Sequence, residues 1–192
     1  MRNPTAGRSK AAAQSATAQP AGPVAQVGPI VSAAHLASGK LPALSELEFA
    51  LNVATNAYHR WMVRCMAAAG VGGLAPVDVQ ILHHVNHRGR DKTLADLCLV
   101  LNIEDTHLVN YAIKKLAGLG LARAGRRGKE KTVAITDEGA AVCQRYHEIR
   151  EALLIRGVSA LGFDGAEVAR LAGLLRALSG QYDQAARGAA SL

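Results

Sequence analysis

The stretch T93LADLCLVLNIEDTHLVNYAIKKLAGLGLARAGRRGKEKTVAITDEG139 decides the fold. Leu94, Leu97, Cys98 and Leu101 recur at i, i+3, i+4 and i+7, which gives one apolar face to a helix from about Leu94 to Leu101. Thr93 reads as its N-cap, with Asp96 standing where a capping box has Glu. Asn102 tolerates the left-handed turn that follows. A second helix is capped by Asp105 or Thr106, and in it Val109, Ala112, Ile113 and Leu116 repeat the spacing and pack on the first helix. Its other face carries Thr106, His107, Asn110, Tyr111 and Lys114, side chains suited to base edges and phosphates. Gly120 provides the stop, where positive φ is wanted.

A β-hairpin comes next. Leu121–Ala124 and Thr132–Ile135 read as strands, joined by the glycine-containing loop G125RRGKEK131. From Thr106 to Lys131 the chain holds seven bases (Lys114, Lys115, Arg123, Arg126, Arg127, Lys129, Lys131) and one acid, Glu130, a local +6 against +7 for all 192 residues. Charge concentrated where a helix and a hairpin tip lie side by side is the electrostatic footprint of a nucleic-acid binder. A solvated hairpin tip is the plainer reading of such a run, and the preceding helix-turn-helix argues against it.

On these residues the chain resembles the MarR family of bacterial winged-helix transcription regulators. The matching pieces are L94ADLCLVLNI103, V109NYAIKKL116, G120LA122 and I135TDEG139, the last similar to the family's Leu-Thr-x-x-Gly closing motif, whose Thr caps the next helix. The resemblance extends more weakly from about Glu46 to Tyr182. It implies a homodimer, a recognition helix in the major groove of double-stranded DNA, and a wing in the minor groove or along the backbone. It further implies a small-molecule effector, held between the dimer helices and the winged helix, where Tyr58 and Trp61 would line a pocket. Two departures stand out. The family's wing carries an Asp-x-Arg pair, whereas no Asp occurs between Gly120 and Thr136, so Arg127 or Lys129 would work without that support. The turn I103EDTH107 is also one residue longer, and its acids suit a helix N-terminus.

The expected fold class is mainly α with a small β-hairpin wing: a winged helix-turn-helix plus a helical dimerisation region. Residues 1–42 are a low-complexity Ala/Gly/Pro/Ser tail with four bases and no acid, read as mostly disordered. Residues 43–186 form the domain, with dimerisation helices over 45–69 and 137–186 and the winged helix over 74–136; residues 187–192 are a tail. The first long helix starts at Ser45, with Glu48 completing a capping box, and carries Leu47, Leu51, Ala54, Tyr58, Trp61, Met62, Cys65 and Met66. Pro76 opens the next helix, and R88GRDK92 is a charged loop on the DNA side. After Thr136 a helix runs to about Val158; Asp164 and Glu167 then open a last helix that buries Val168, Leu171, Leu175 and Leu178. Stripes of this length are more easily covered across a two-fold axis, and a dimer would set two recognition helices roughly 34 Å apart.

The DNA-contacting residues expected are therefore Thr106, His107, Asn110, Tyr111, Lys114, Arg126, Arg127 and Lys129. Three well-separated cysteines without a CxxC fit a reduced, cytoplasmic protein. Cys65 and Cys98 sit on apolar stripes, as small hydrophobes usually do. His83 and His87 share a helical face, but two ligands are not a metal site. GxSxG, HExxH and Walker-type motifs are absent, so neither catalysis nor a cofactor is expected; no apolar run approaches the roughly 18 residues of a spanning helix, so no membrane partner is expected. The alternative is a winged helix that serves as a protein-interaction module or a non-specific DNA binder without an operator.

Overall fold

The computed structural model describes residue 28 and residues 30–192. Most of the expected disordered tail lies outside the described residues. The chain divides into two units, Met1–Leu51 and Asn52–Leu192. In the first, a 3-10 turn at Ala34–Ser38 precedes helix α1, which spans Pro42–Ala68 and so continues into the second. The expected start at Ser45 is corrected: the helix begins one turn earlier, and the Ser45 hydroxyl donates to the carbonyl of Leu36 instead of capping.

The second unit is built around the winged helix. Helices α2 (Pro76–Asn86), α3 (Leu94–Leu101) and α4 (Thr106–Gly118) are followed by strands β2 (Ala122–Arg127) and β3 (Glu130–Ile135), and a short strand β1 (Lys92–Thr93) completes an antiparallel sheet in the order β1-β3-β2. Strand β1 corrects the reading of R88GRDK92 as a loop. Lys92 and Thr93 pair with Val133 and Thr132, and the buried Lys92 donates its ammonium to the carbonyl of His87 at 2.9 Å, so this lysine does not face DNA. Thr93 and Asp96 form the capping box of α3 at 2.9 and 3.0 Å. Asn102 closes that helix at φ 52°, in the left-handed region. Of the two candidate caps, Asp105 is the one that caps α4, accepting from the amides of His107 and Leu108.

The core consists of Met62, Cys65 and Met66 of α1, Val79, Ile81, Leu82 and Val85 of α2, Leu97, then Val109, Ala112 and Leu116 of α4, with Val133 and Val142. It is mainly aliphatic, with Tyr146 also part of it. Beyond it, α5 (Asp137–Ile149) passes through a π-helical segment, Arg150–Ile155, into the short α6 (Arg156–Ser159); α7 spans Gly165–Ala189 behind the expected Asp164/Glu167 capping box. In the single chain no residue of α7 is buried: Val168 and Leu171 are exposed, and Leu175 and Leu178 only half-buried, because nothing among the described residues covers them. The tail proposed from residue 187 is still helical to Ala189.

Candidate DNA-binding face and cavity

Helix α4 presents Thr106, His107, Tyr111 and Lys114 to solvent, while Asn110 is half-buried. Tyr111 is 68% exposed, which rules out packing against a neighbouring helix as its role in this chain. The apolar face of α4 seats it on α2 and α3, so the polar face must point outward. Lys115 belongs to neither face. Its Nζ donates to Asp78 Oδ2 and to the carbonyl of Gly73, both at 2.8 Å, so one of the seven bases counted toward DNA fastens the helix to the core.

The wing is longer than its sequence suggested. Strand pairing continues out to Arg127 opposite Glu130, leaving a two-residue turn, Gly128–Lys129, in place of a seven-residue loop. Gly128 has φ +63°, a conformation glycine adopts without strain and one that suits the first position of a tight hairpin turn. Arg127 Nη2 donates to Glu130 Oε2 at 3.2 Å across the turn. The expectation that Arg127 would act without an orienting acid is thereby corrected: Glu130, from the facing strand, supplies one. Both side chains are largely exposed, so the pair orients the guanidinium more than it stabilises the fold. Between α4 and the sheet lies a cleft of about 320 Å³ in which Asn110 and Lys114 meet Arg126 and Lys131. Lys131 was counted among the bases but not among the contact residues; its strand register places it at the cleft, which the loop reading could not show.

Tyr58 and Trp61 both line a second cleft, of about 770 Å³, with His83, Asn86, Tyr146 and Arg150. His83 packs edge-on against Tyr146 with ring centroids 4.4 Å apart, and its buried Nε2 has no hydrogen-bond partner. Burial lowers the pKa of His83 and pushes that of the Tyr146 phenol up to about 12. This cleft thus combines aromatic walls, a neutral imidazole with an unused nitrogen, and one guanidinium. In the sequence His83 shares a helical face with His87, too few ligands for a metal site. Among the described residues no three His, Cys, Asp or Glu side chains stand together as a metal site. Cys65 and Cys143 have no sensor environment either: burial raises the pKa of Cys65 and takes that of Cys143 to about 11.

Comparison with known proteins agrees with this architecture. Residues 74–139 match the model of the winged helix DNA-binding domain. Among solved structures, the chain is similar to a MarR family regulator from Neisseria meningitidis, with 18% identity and a TM-score of 0.60 over 74% of this chain and 95% of that one. The fold is the MarR winged helix. A mutant MarR from E. coli complexed with operator DNA shares this MarR fold at 17% identity and a TM-score of 0.58, over 73% of this chain and 99% of its own. CouR from Rhodococcus jostii, bound to p-coumaroyl-CoA, does so at 14% identity and a TM-score of 0.58, over 69% and 90%. No curated protein sequence matches the chain. Among the described residues, no helix is long and apolar enough to cross a membrane.

Proposed function

We propose that this chain is a MarR-family transcription regulator that binds double-stranded DNA as a homodimer in the cytoplasm and is modulated by a small effector. The observation that carries the reading is the exposed polar face of α4 standing beside a cationic two-stranded wing. Thr106, His107, Asn110 and Tyr111 would read base edges in the major groove; Lys114, Arg126, Arg127 and Lys129 would hold phosphates or enter the minor groove. The similarity to an E. coli MarR that binds operator DNA supports this reading. The uncovered stripe of α7, with Val168, Leu171 and Leu174 exposed, supports a second copy as its cover. For the effector, the support is the Trp61 cleft together with the ligand-bound state of CouR.

The test is retention of genomic DNA fragments by the purified chain, with a salt titration. Selective retention of near-palindromic fragments with a steep salt slope is expected. Weak, uniform retention would overturn the operator-binding reading. It would favour the second reading, a protein-interaction module, for which Leu99 and Val100 of α3 argue: both are apolar and well exposed beside the helix-turn-helix. If an effector that releases DNA from the wild type releases it equally from Trp61→Ala, the Trp61 cleft is not its site.

A further inference from the structure

We propose that Lys131, Arg126 and Lys114 form a clamp for a single backbone phosphate of the DNA, seated in the cleft between α4 and the wing. The proposal rests on the DNA-binding reading above and adds a contact residue, Lys131, and a specific ligand group, a phosphodiester.

Three observations converge. Arg126 and Lys131 are direct cross-strand partners, so their side chains leave the sheet on the same face. Lys114 reaches the same cleft from α4. Like charges placed directly opposite on a sheet are destabilising, yet among the described residues none of the three has an ion-pair partner. Glu130 lies on the other face of the hairpin, paired with Arg127, and Asp91 accepts from the Thr132 hydroxyl. The folded chain thus holds three cations around one cleft without an internal counter-charge. A phosphate supplies that charge, and planar guanidinium and point-charge ammonium groups both suit it. The floor of the cleft is apolar, with Ile113, Ala117 and Val133, and fits a deoxyribose face. A clamp at this place would fix the angle between recognition helix and wing on the duplex, since one phosphate would be gripped from both elements.

The full chain would be titrated with its best-retained duplex over a range of salt, as wild type, Lys131→Gln and Lys131→Arg. Lys131→Gln is expected to lose affinity equally for selected and scrambled duplexes and to lower the slope of log K against log salt by about one. Lys131→Arg should restore both. Without DNA, the thermal midpoint of Lys131→Gln should equal or exceed that of the wild type, because a like-charge contact has been relieved. Neutral methylphosphonate linkages, introduced one at a time, should reveal one position per half-site where the wild type weakens and Lys131→Gln does not weaken further. Unchanged affinity and slope in Lys131→Gln, or a loss of affinity together with a lowered midpoint, would overturn the clamp while leaving DNA binding intact. Saturable binding of inorganic phosphate that Lys131→Gln abolishes, with an unaltered DNA slope, would assign the cleft to a free anion and overturn the DNA contact. A wild type that retains no DNA at all would instead defeat the functional reading itself.

Discussion

Lys115, on the recognition helix, donates to the almost fully buried carboxylate of Asp78 at 2.8 Å, and Asp78 Oδ2 also accepts from the amide of Ala75 at 2.7 Å. One carboxylate thereby closes the N-terminus of α2 and anchors α4. Removing one partner of a buried pair leaves the other uncompensated. Asp78→Ala should lower unfolding free energy by about 3 kcal/mol. Lys115→Met should cost a similar amount, because the carboxylate it leaves without a counter-charge is the buried member of the pair. Urea denaturation measures both. Lys115→Met should leave the salt slope of DNA binding unchanged, and a lower slope would return Lys115 to the DNA face.

Gly139 faces a different constraint. A Cβ built on it would lie 2.0 Å from the carbonyl oxygen of Leu121, which is backbone and unable to move aside. The same junction is closed by Thr136, which donates to the carbonyl of Gly120 at 2.7 Å and accepts from the amide of Gly139 at 3.0 Å. Gly139→Ala should destabilise the chain by about 3 kcal/mol or prevent folding, as overpacking against a fixed neighbour does. Circular dichroism melting checks this; a midpoint within a few degrees of the wild type would contradict the close approach.

Base reading and phosphate holding separate experimentally. Asn110→Ala should cost about 1–3 kcal/mol at one base position and relax specificity there. Arg127→Ala should weaken all duplexes alike and flatten the salt dependence. Glu130→Gln should resemble a mild Arg127 defect, because it frees the guanidinium that Glu130 orients. Competition binding with single-base variants distinguishes these patterns, and Arg127→Ala with wild-type salt dependence would remove the wing assignment.

The pKa of His83 is lowered by burial from its ordinary value of 6.5. The unfolded chain therefore takes up this proton more readily than the folded one, and stability rises with pH across the interval between the two values. The contribution is fully present above pH 6.5 and is lost as pH falls through the lowered folded value. Denaturation midpoints should drop on acidification below about pH 6.5, and His83→Gln should remove part of that drop. An effector that fills the cleft and bonds Nε2 should change the same dependence.

For α7, Leu171→Asp with Leu174→Asp should convert a dimer to a monomer and abolish tight operator binding, since both side chains are exposed in the single chain. Light scattering coupled to gel filtration reads the mass. A wild type that is monomeric at micromolar concentration, or a double variant that remains dimeric, would move the interface elsewhere.

Local chemistry made much of this molecule legible in advance. Apolar spacing fixed α3 and α4, because a helix that covers a core must repeat near every 3.6 residues. Thr93 and Asp164 announced their caps and Asp105 was one of two candidates, since a short oxygen-bearing side chain beside a helix start has a free amide within reach; the cap by Thr136 was implied by the family resemblance. Asn102 and Gly120, both at positive φ, announced the turns. What could not be read were choices made between segments distant along the chain. Strand β1 exists only because β3 presents an edge to Lys92 and Thr93, which turned an apparent surface lysine into a buried one. The length of the wing was set by cross-strand pairing through polar residues whose alternation carries no apolar signal. Sequence alone counts the charges near the reading head. Only the folded chain sorts them, committing Lys115 to Asp78 and Arg127 to Glu130 and leaving Lys114, Arg126 and Lys131 around one cleft, because the partner of a charge is fixed by distance in space and not by order along the chain.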